Sequence, residues 1–417
     1  MNDEQQQGAD ARDERGGGEV HAFSEQAWAH LDGLAKPRRS LGKLEELGVR
    51  LASIQRTLQP VVRPRRLVLF AGDHGVVARG VSAWPSEVTG LMVGTILMGR
   101  ASSSALAAAH DCSVRLVDVG VAGARVASGP AFFRDARVAS GTQDLSTAPA
   151  MTAAQFDAAW QVGVDEAERA VAEGNRVLIA GEMGIGNTTP AACLTMLFTH
   201  IGAEIAVGRG AGADDTTLQT KRDIVAAAVA RASAASDADA AGARGATKNE
   251  TSGSGAKPRA DGGAVLRAVA PVRSEGSAPL RGDIGVPSSG GASVRPPLRA
   301  AIEALAGFEI VAMAGFFAAG ARLGATLLID GYVATSAALI AWHLQPDCVH
   351  SMIAGHRSAE SGHGAALACL GLEPLLEWNM RLGEGTGALV ALPMLDSAAA
   401  LMCNVAALSD LGVARED

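Results

Sequence analysis

The sequence lacks an excess of basic residues, cysteines at a metal-binding or redox spacing, and a long uninterrupted apolar run. Its formal net charge is −8 with no long basic stripe, which excludes a general nucleic-acid binder. The five cysteines show no CxxC spacing, so buried free thiols are expected rather than disulfides or a metal site. The longest apolar stretch begins at Ile310 and is broken by Arg322 and Asp330, which predicts a buried helix and strand rather than a membrane span. The N-terminus is polar and acidic and lacks the apolar segment that a signal peptide contains. We therefore expect a cytoplasmic protein without a membrane partner.

Aromatic residues are also scarce. They form 4% of the chain, with one tyrosine, so an aromatic ligand would have to be enclosed mainly by Met, Leu and Val side chains and by Trp84. Hydrophobic residues form 48% of the 417 residues, which is typical of a globular chain with one large and one smaller domain.

Short apolar runs alternate with helical patterns along most of the chain. This alternation predicts an α/β fold, a Rossmann-like parallel sheet with helices on both faces. The predicted strands lie at 67–70, 114–119, 176–179 and within 325–335, and helices are predicted within 24–58, 86–110 and 152–173. Residues 1–20 are predicted to be a disordered tail, and the Ser-, Gly- and Pro-rich segment 233–298 a flexible insert.

Each predicted strand ends in glycine plus an acidic residue. The acids are Asp73, Asp118, Glu182 and Asp330. Because ligands of open parallel sheets bind beyond the carboxyl ends of the strands, all four ends are expected to face one site.

The segment GEMGIGNTT, 181–189, is a candidate anion site. Gly184, Gly186 and Asn187 favour a turn that aims backbone N–H groups at an anion, and Thr188 and Thr189 are candidate caps of the next helix. No Walker loop or dinucleotide fingerprint is present. A plain strand–turn–helix corner is the alternative.

A second anion candidate is VGRGAGADD, 207–215. Glycines surround Arg209, and Lys221 follows on a predicted helix, an arrangement that suits a ribose phosphate. In the alternative, Asp215 caps that helix and Lys221 is solvated.

Three further segments carry polar residues in glycine-rich or loop contexts. Asp73 and His74 are weak candidates for metal ligands. Trp84 could form one flat side of a ligand pocket, and Ser86 is the predicted N-cap of the helix that follows. His356 and His363 are seven residues apart, a spacing that could place both side chains on one face of a helix. A zinc site would need a third ligand, so a role in a polar network is favoured for this segment.

Glu384 lies between two glycines just before an apolar helix. In an apolar pocket this carboxylate would serve as a general base. The spacing indicates equally well a structural role, in which the carboxylate is stabilised by the dipole at the start of the helix.

Taken together, these segments resemble the nicotinate-nucleotide:dimethylbenzimidazole phosphoribosyltransferase family. The resemblance covers about residues 22–232 and 299–410. It rests on eight colinear motifs, AGDHGV…GVSAWPSEVT, VRLVDVGVAG, GEMGIGNTT, VGRGAGADD, GFEIVAMAG, IDGYVATSAALIA, AGHRSAESGH and MRLGEGTGA.

The resemblance implies an enzyme that transfers the phosphoribosyl group of nicotinate mononucleotide to dimethylbenzimidazole and releases nicotinate. It implies a homodimer, with a large α/β domain at 63–232 and 299–375 and a small helical domain at 21–62 and 376–417. No metal or cofactor is expected, because the leaving nicotinate starts as a pyridinium.

The resemblance also assigns residues. Glu384 falls on the family's catalytic base, Glu182 on its second functional acid and Lys221 on its phosphate-binding lysine. The candidate substrate-binding positions are Ser82, Trp84, Pro85, Glu87, Gly184, Ile185, Gly186, Asn187, Thr188, Gly208, Arg209, Gly210, Asp330, Gly355 and His356.

Three departures from the family pattern occur, at 36–42, at Gln143 and at Ala211. They slightly favour a non-catalytic azole- or nucleotide-binding protein as an alternative. A transferase that uses phosphoribosyl pyrophosphate is a further alternative, because LLIDGYVATSA resembles its phosphate loop. That loop needs a second acid where this chain has Gly331 and Tyr332.

Overall fold

The computed structural model describes residues 23–126, 129–210, 212–247 and 296–412. The predicted tail 1–20, most of the predicted insert and Ala211 lie outside these ranges.

A single sheet of seven parallel strands forms the centre of the described chain, in the order β3-β2-β1-β4-β5-β6-β7. The strands are β1 (Arg65–Gly72), β2 (Cys112–Gly120), β3 (Phe133–Asp135), β4 (Val177–Met183), β5 (Thr326–Ile329), β6 (Met352–His356) and β7 (Pro374–Leu376). The predicted Rossmann-like α/β class is confirmed.

Helices connect the strands and cover both faces of the sheet. They are α1 (23–32), α2 (Lys43–Gln55), α3 (Glu87–Leu97), α4 (Ser102–Ala109), α5 (Ala153–Ala172), α6 (Thr188–Thr199), α7 (Ala203–Ala206), α8 (Asp215–Thr247), α9 (Pro296–Leu305), α10 (Phe308–Arg322), α11 (Tyr332–Leu344), α12 (His363–Cys369) and α13 (Thr386–Asn404).

The sheet separates two hydrophobic cores. In β1, Val68 and Phe70 belong to the core formed with α5, α10 and α11, whereas Leu67 and Leu69 belong to the core formed with α13. Both sets are fully buried, as the two-residue period of a strand covered on both faces requires.

Three strands were not predicted from the sequence. Strands β3 and β7 have three residues each and lie at the sheet edges, and β6 carries only Met352 and Ile353 before Ala-Gly-His. Such short runs carry little periodic signal. The predicted helix over 86–110 is two helices, because the chain turns at Gly99, which has φ +69°.

Helices from both ends of the described chain pack together. Ala27 and Leu31 of α1, Ala52 of α2, and Leu401 and Met402 of α13 form a separate small core. The domain boundaries stay a prediction. Helix α8 extends to Thr247 and α9 begins at Pro296, so both ends of the predicted insert, 233–298, are helical.

Two apolar segments have the length and composition of a membrane span, Glu87–Ala109 and Thr386–Asn404. The first is divided into α3 and α4, and the second is α13, which is largely buried beside the sheet.

Candidate active site

A cleft of about 510 Å³ opens beyond the carboxyl ends of β4, β5 and β6. Of the predicted site residues, it is lined by Ser82, Trp84, Glu182, Gly184, Ile185, Gly186, Asn187, Thr188, Arg209, Gly210, Lys221, Asp330, His356 and Glu384. Segments far apart in sequence therefore meet in one cavity.

Four predicted substrate-binding residues do not line the cleft: Pro85, Glu87, Gly208 and Gly355. A Cβ atom on Gly355 would lie 2.9 Å from the Cα atom of Ala388, so Gly355 serves helix packing. Gly208 contacts a residue of the lining instead, because its carbonyl accepts a hydrogen bond of 3.4 Å from Lys221 Nζ.

The expectation that all four acidic strand ends face one site is wrong for two of them. Asp73 and Asp118 line a second cavity of about 360 Å³, together with Glu87. For Asp118 the strand register gives the reason. Glu182 pairs with Phe70 and Asp118 with Ala71, so the two acids point to opposite faces of the sheet.

Glu384 lies in a strained turn between β7 and α13. It has φ +57°, in the left-handed region, and its neighbours Gly383 and Gly385 have φ +89° and +73°. Its side chain is 2% exposed, and Oε2 accepts a hydrogen bond of 2.7 Å from the hydroxyl of Ser103. A strained, buried carboxylate that faces a cleft is typical of a functional residue.

Glu182 lies at the end of β4 next to this turn. Its Oε2 accepts a hydrogen bond from the Asn187 side-chain amide, and a Cβ atom on Gly383 would lie 2.2 Å from its Oε1. Burial raises the pKa of Glu182 well above its ordinary value, and the carboxylates of Asp330, Glu309 and Glu384 raise it further. The two predicted functional acids therefore share one low-dielectric site.

Two histidines lie close to this acidic group. His74 Nε2 is 2.9 Å from Glu309 Oε1, and His356 Nε2 is 3.6 Å from Asp330 Oδ1. Burial acts to lower the pKa of His74, but the Glu309 carboxylate outweighs burial and the pKa is raised. The His74–Glu309 pair lies beneath the cleft, beside Gly184.

The predicted anion loop precedes helix α6. The residue before the helix is Asn187, whose side chain forms no capping hydrogen bond. Thr188 and Thr189 lie inside the first turn of the helix, so the prediction that they cap it is wrong. The positive end of the α6 dipole favours an anion here, although the Thr189 N–H already donates to the Gly186 carbonyl and Pro190 has no N–H. A Cβ atom on Gly184 would lie 2.3 Å from the Gly72 carbonyl oxygen, so only glycine allows the loop to lie this close to β1.

Lys221 reaches the same place from α8. Its side chain is buried, which excludes the solvated alternative, and Nζ donates a hydrogen bond of 2.7 Å to Thr188 Oγ1. Burial lowers the pKa of Lys221 to about 8, although the Glu360 carboxylate acts in the opposite direction. At the start of α8, Asp214 rather than Asp215 accepts the capping bond, from the Thr217 N–H.

The third part of the cleft is an apolar slot. Its lining side chains are Val81, Trp84, Val88, Met92, Met183 and Leu382. Trp84 and Leu382 remain half exposed, so they stand at the mouth. The slot has the mixed aliphatic and aromatic lining expected for a flat heterocycle.

His356 and His363 do not share a helix. His356 ends β6, His363 begins α12, and their rings are 6.1 Å apart. His363 accepts from the Ser358 N–H and hydrogen-bonds Thr335, while burial lowers its pKa to about 3. Within the described ranges, no group of three or more His, Cys, Asp or Glu side chains is arranged to hold a metal ion.

Sequence analysis missed several residues of the site. Ser103 contacts Glu384, whereas Glu360 and Arg381 line the cleft. Glu360 and Arg381 lie inside the motifs AGHRSAESGH and MRLGEGTGA, so an inspection of every polar motif position would have found them. Ser103 lies in no motif, and only the fold reveals it.

Comparisons with known proteins agree with this geometry. The model of a phosphoribosyltransferase family matches residues 19–247 and 292–413. The nicotinate-nucleotide–dimethylbenzimidazole phosphoribosyltransferase of Thermus thermophilus is 37% identical over 390 residues, which covers 94% of this chain and 98% of the relative. The enzyme of the same name from Chromobacterium violaceum is 38% identical over 380 residues, covering 91% of this chain and 92% of the relative.

A solved structure is similar as well. The crystal structure of CobT from Thermus thermophilus matches with a TM-score of 0.76 at 36% identity, covering 95% of this chain and 100% of that one. The order of the motifs, the shared cleft and these matches along nearly the whole length lead to one assignment. The chain belongs to the nicotinate-nucleotide–dimethylbenzimidazole phosphoribosyltransferase family.

Proposed function

We propose that this protein transfers the phosphoribosyl group of nicotinate mononucleotide to 5,6-dimethylbenzimidazole, giving α-ribazole 5′-phosphate and nicotinate in cobalamin nucleotide-loop synthesis. The observation that supports it most directly is the meeting of Glu182, Glu384, an anion loop and Lys221 in one cleft. These groups match the parts of the reaction, which are a cationic sugar, a proton to remove and a phosphate to hold.

The glycosidic bond breaks with its electron pair moving to the pyridinium nitrogen, which leaves neutral as part of nicotinate. Positive charge develops at ribose C1′, as in glycoside hydrolysis. Burial and neighbouring carboxylates raise the pKa of Glu182, but a cationic sugar beside it favours the ionised form. The carboxylate of Glu182 then stabilises that charge more in the transition state than in the bound substrate. Its burial strengthens this interaction, because little water screens it.

One ring nitrogen of dimethylbenzimidazole donates its lone pair to C1′ and forms the new bond. The ring becomes cationic, and the N–H on its other nitrogen becomes much more acidic. Glu384 takes that proton and acts as the general base. The acceptor ring occupies the apolar slot, where Trp84 and Met183 lie on its walls.

The phosphate occupies the start of α6, where Lys221 supplies positive charge. For the nicotinate carboxylate we assign Arg381. It lines the cleft and is exposed, and it forms no ion pair with the residues that the structure describes. The other arginine of the cleft, Arg209, is already bound to Asp215 and the Ala213 carbonyl.

The decisive experiment incubates the purified chain with nicotinate mononucleotide and dimethylbenzimidazole and measures the mass of the products. We expect α-ribazole 5′-phosphate and an equal amount of nicotinate. Binding of both compounds without product would favour the non-catalytic alternative. Product from phosphoribosyl pyrophosphate and Mg²⁺, but not from the mononucleotide, would favour the other transferase.

We also propose a homodimer, as the family resemblance implies. Leu91 and Met98 are exposed apolar side chains seven residues apart, on and just after α3. Such a surface suits contact with a second copy. Light scattering is expected to give twice the mass of the chain, and a monomer at micromolar concentration would contradict this.

We propose that the protein acts in the cytoplasm. All five cysteines are free, and three of them are buried, which suits a reducing compartment. Cell fractionation tests this location, and recovery in the membrane or secreted fraction would contradict it.

A further inference from the structure

The turn that carries Glu384 is closed by Thr386, whose N–H and hydroxyl donate to the Gly383 carbonyl at 3.0 and 2.7 Å, but neither bond involves the Glu384 side chain. Glu384 and both flanking glycines adopt left-handed backbone angles, and Gly385, the residue before α13, offers no side-chain cap. A helix start leaves several N–H groups without partners. The direction of the Glu384 carboxylate therefore depends on contacts from elsewhere in the fold.

Asp330, at the carboxyl end of β5, supplies the first contact. Its Oδ2 accepts a hydrogen bond of 3.0 Å from the Gly385 N–H, and its Oδ1 accepts one of 3.0 Å from the Ala388 N–H. Its side chain is 2% exposed. Both oxygens of a rigidly placed carboxylate thus hold the first turn of α13, starting at the residue next to Glu384.

Ser103, in the first turn of α4, supplies the second contact. It is fully buried, and its hydroxyl donates a hydrogen bond of 2.7 Å to Glu384 Oε2. Its backbone N–H lies 3.5 Å from the same oxygen. Asp330 thus fixes the backbone of the turn, and Ser103 fixes the carboxylate itself.

We propose that Asp330 and Ser103 are positioning residues that together fix the direction of the Glu384 carboxylate. This proposal rests on the proposed function, in which Glu384 is the base. It reassigns Asp330, a candidate substrate ligand by resemblance, to a role exerted through Glu384. In such a role Asp330 governs turnover rather than substrate affinity.

The first test is Asp330→Asn. The asparagine oxygen can still accept from the Ala388 N–H, so the helix keeps that hydrogen bond. Its amide N–H₂ then faces the Gly385 N–H, and because two donors cannot bond each other, the turn is expected to shift. We expect kcat to fall about 100-fold, because a displacement of about 1 Å can cost that much, with KM for both substrates within about twofold of wild type. A large rise in KM with kcat unchanged would show direct substrate binding and overturn the proposal.

The second test is Ser103→Ala, with Ser102→Ala as its control. Ser102 is exposed on the same helical turn and does not line the cleft. Loss of one hydrogen bond is expected to lower kcat about tenfold in the Ser103 variant, and the control stays at wild-type activity. Equal activity of the two variants would overturn the role of Ser103.

A double-mutant cycle separates positioning from general damage to the fold. In a Glu384→Gln background neither Asp330→Asn nor Ser103→Ala has a base left to position, so each is expected to lower the residual rate less than about twofold. Full additivity would show that the two residues act independently of Glu384 and would overturn the proposal. Asp347→Asn, an exposed carboxylate outside the cleft, is the control for Asp330.

The outcomes also separate this proposal from the proposed function. Absence of α-ribazole 5′-phosphate with the wild-type chain would refute the function itself. An active wild type whose Asp330→Asn and Ser103→Ala variants turn over normally would refute the positioning role alone.

Discussion

The buried ammonium of Lys221 donates a hydrogen bond of 2.7 Å to Oγ1 of Thr188, the first residue of helix α6. This bond joins the lysine of α8 to the anion loop after β4. The two anion candidates found in the sequence therefore contact each other, and we propose that they form one phosphate site. In this proposal Lys221 supplies the charge, and the dipole of α6 favours the anion.

We predict that the affinity for the mononucleotide falls as pH rises through about 8. Burial lowers the pKa of Lys221 to about 8. The charged ammonium is therefore present below that pH and lost above it, although bound phosphate moves the transition upward. The phosphate itself carries two charges throughout this range, since its second pKa is about 6. The measurement is KM for nicotinate mononucleotide between pH 7 and pH 9.5.

Lys221→Met tests the assignment of that pH dependence. The variant is expected to bind the mononucleotide at least about tenfold more weakly at pH 7, without the rise in KM above pH 8. Lys43→Met, on the exposed face of α2, serves as the control. If the Lys221 variant kept the wild-type pH profile, another group would be responsible.

Glu384→Gln is predicted to retain binding of both substrates and lose most turnover. Removal of a general base costs about two to four decades in rate. Glutamine keeps the shape of the side chain and can still accept from the Ser103 hydroxyl, so the turn is expected to stay in place. Single-turnover kinetics and equilibrium binding measure the two quantities separately. A near-normal kcat would refute the role of Glu384 as base.

The fold class was predictable because its signals are local. Apolar runs such as 67–70 mark strands that are buried on both faces, and they recur between helical patterns. Motif order also brought Glu182 and Glu384 into one predicted site. The short strands β3 and β7 escaped prediction because three residues show no period.

The site predictions that were wrong or missing depend on strand register and on contacts between distant segments. Asp118 carries the same glycine-and-acid signature as Glu182, but a one-residue difference in register turns it to the other face. The contact of Ser103 with Glu384 joins residues far apart in sequence and follows only from the packing of α4 beside α13. Neither register nor such a contact is encoded in a single segment.

Arg381→Gln is predicted to weaken discrimination between nicotinate mononucleotide and nicotinamide mononucleotide. Only the first substrate carries the ring carboxylate that we assign to Arg381. A bond to a charged group contributes about 1.5–3 kcal/mol, so kcat/KM for the nicotinate substrate falls about ten- to hundredfold. For the carboxamide it is expected to stay nearly constant.

The control for this variant is Arg100→Gln, an exposed arginine outside the cleft. It removes the same charge and is expected to leave the ratio of the two kcat/KM values unchanged. An unchanged ratio in Arg381→Gln would place the carboxylate at another residue.

Gly383→Ala is predicted to damage both the fold and the chemistry. The residue has φ +89°, which strains any side chain, and the new Cβ atom would lie 2.2 Å from Glu182 Oε1. Either Glu182 moves away or the turn shifts and takes Glu384 with it. We expect a loss of about 1–3 kcal/mol in the free energy of unfolding together with a lower kcat.

Gly324→Ala, after α10, is the matched control. Gly324 is also in the left-handed region, with φ +75°, but a Cβ atom there meets no heavy atom within 4 Å and the residue does not line the cleft. The control is expected to lose about 1 kcal/mol through backbone strain alone, with normal kcat. Thermal unfolding and initial rates on both variants separate the two positions. A Gly383→Ala protein with the melting temperature and rate of the control would show that Glu182 and the turn do not constrain each other, and the shared-site geometry would have to be abandoned.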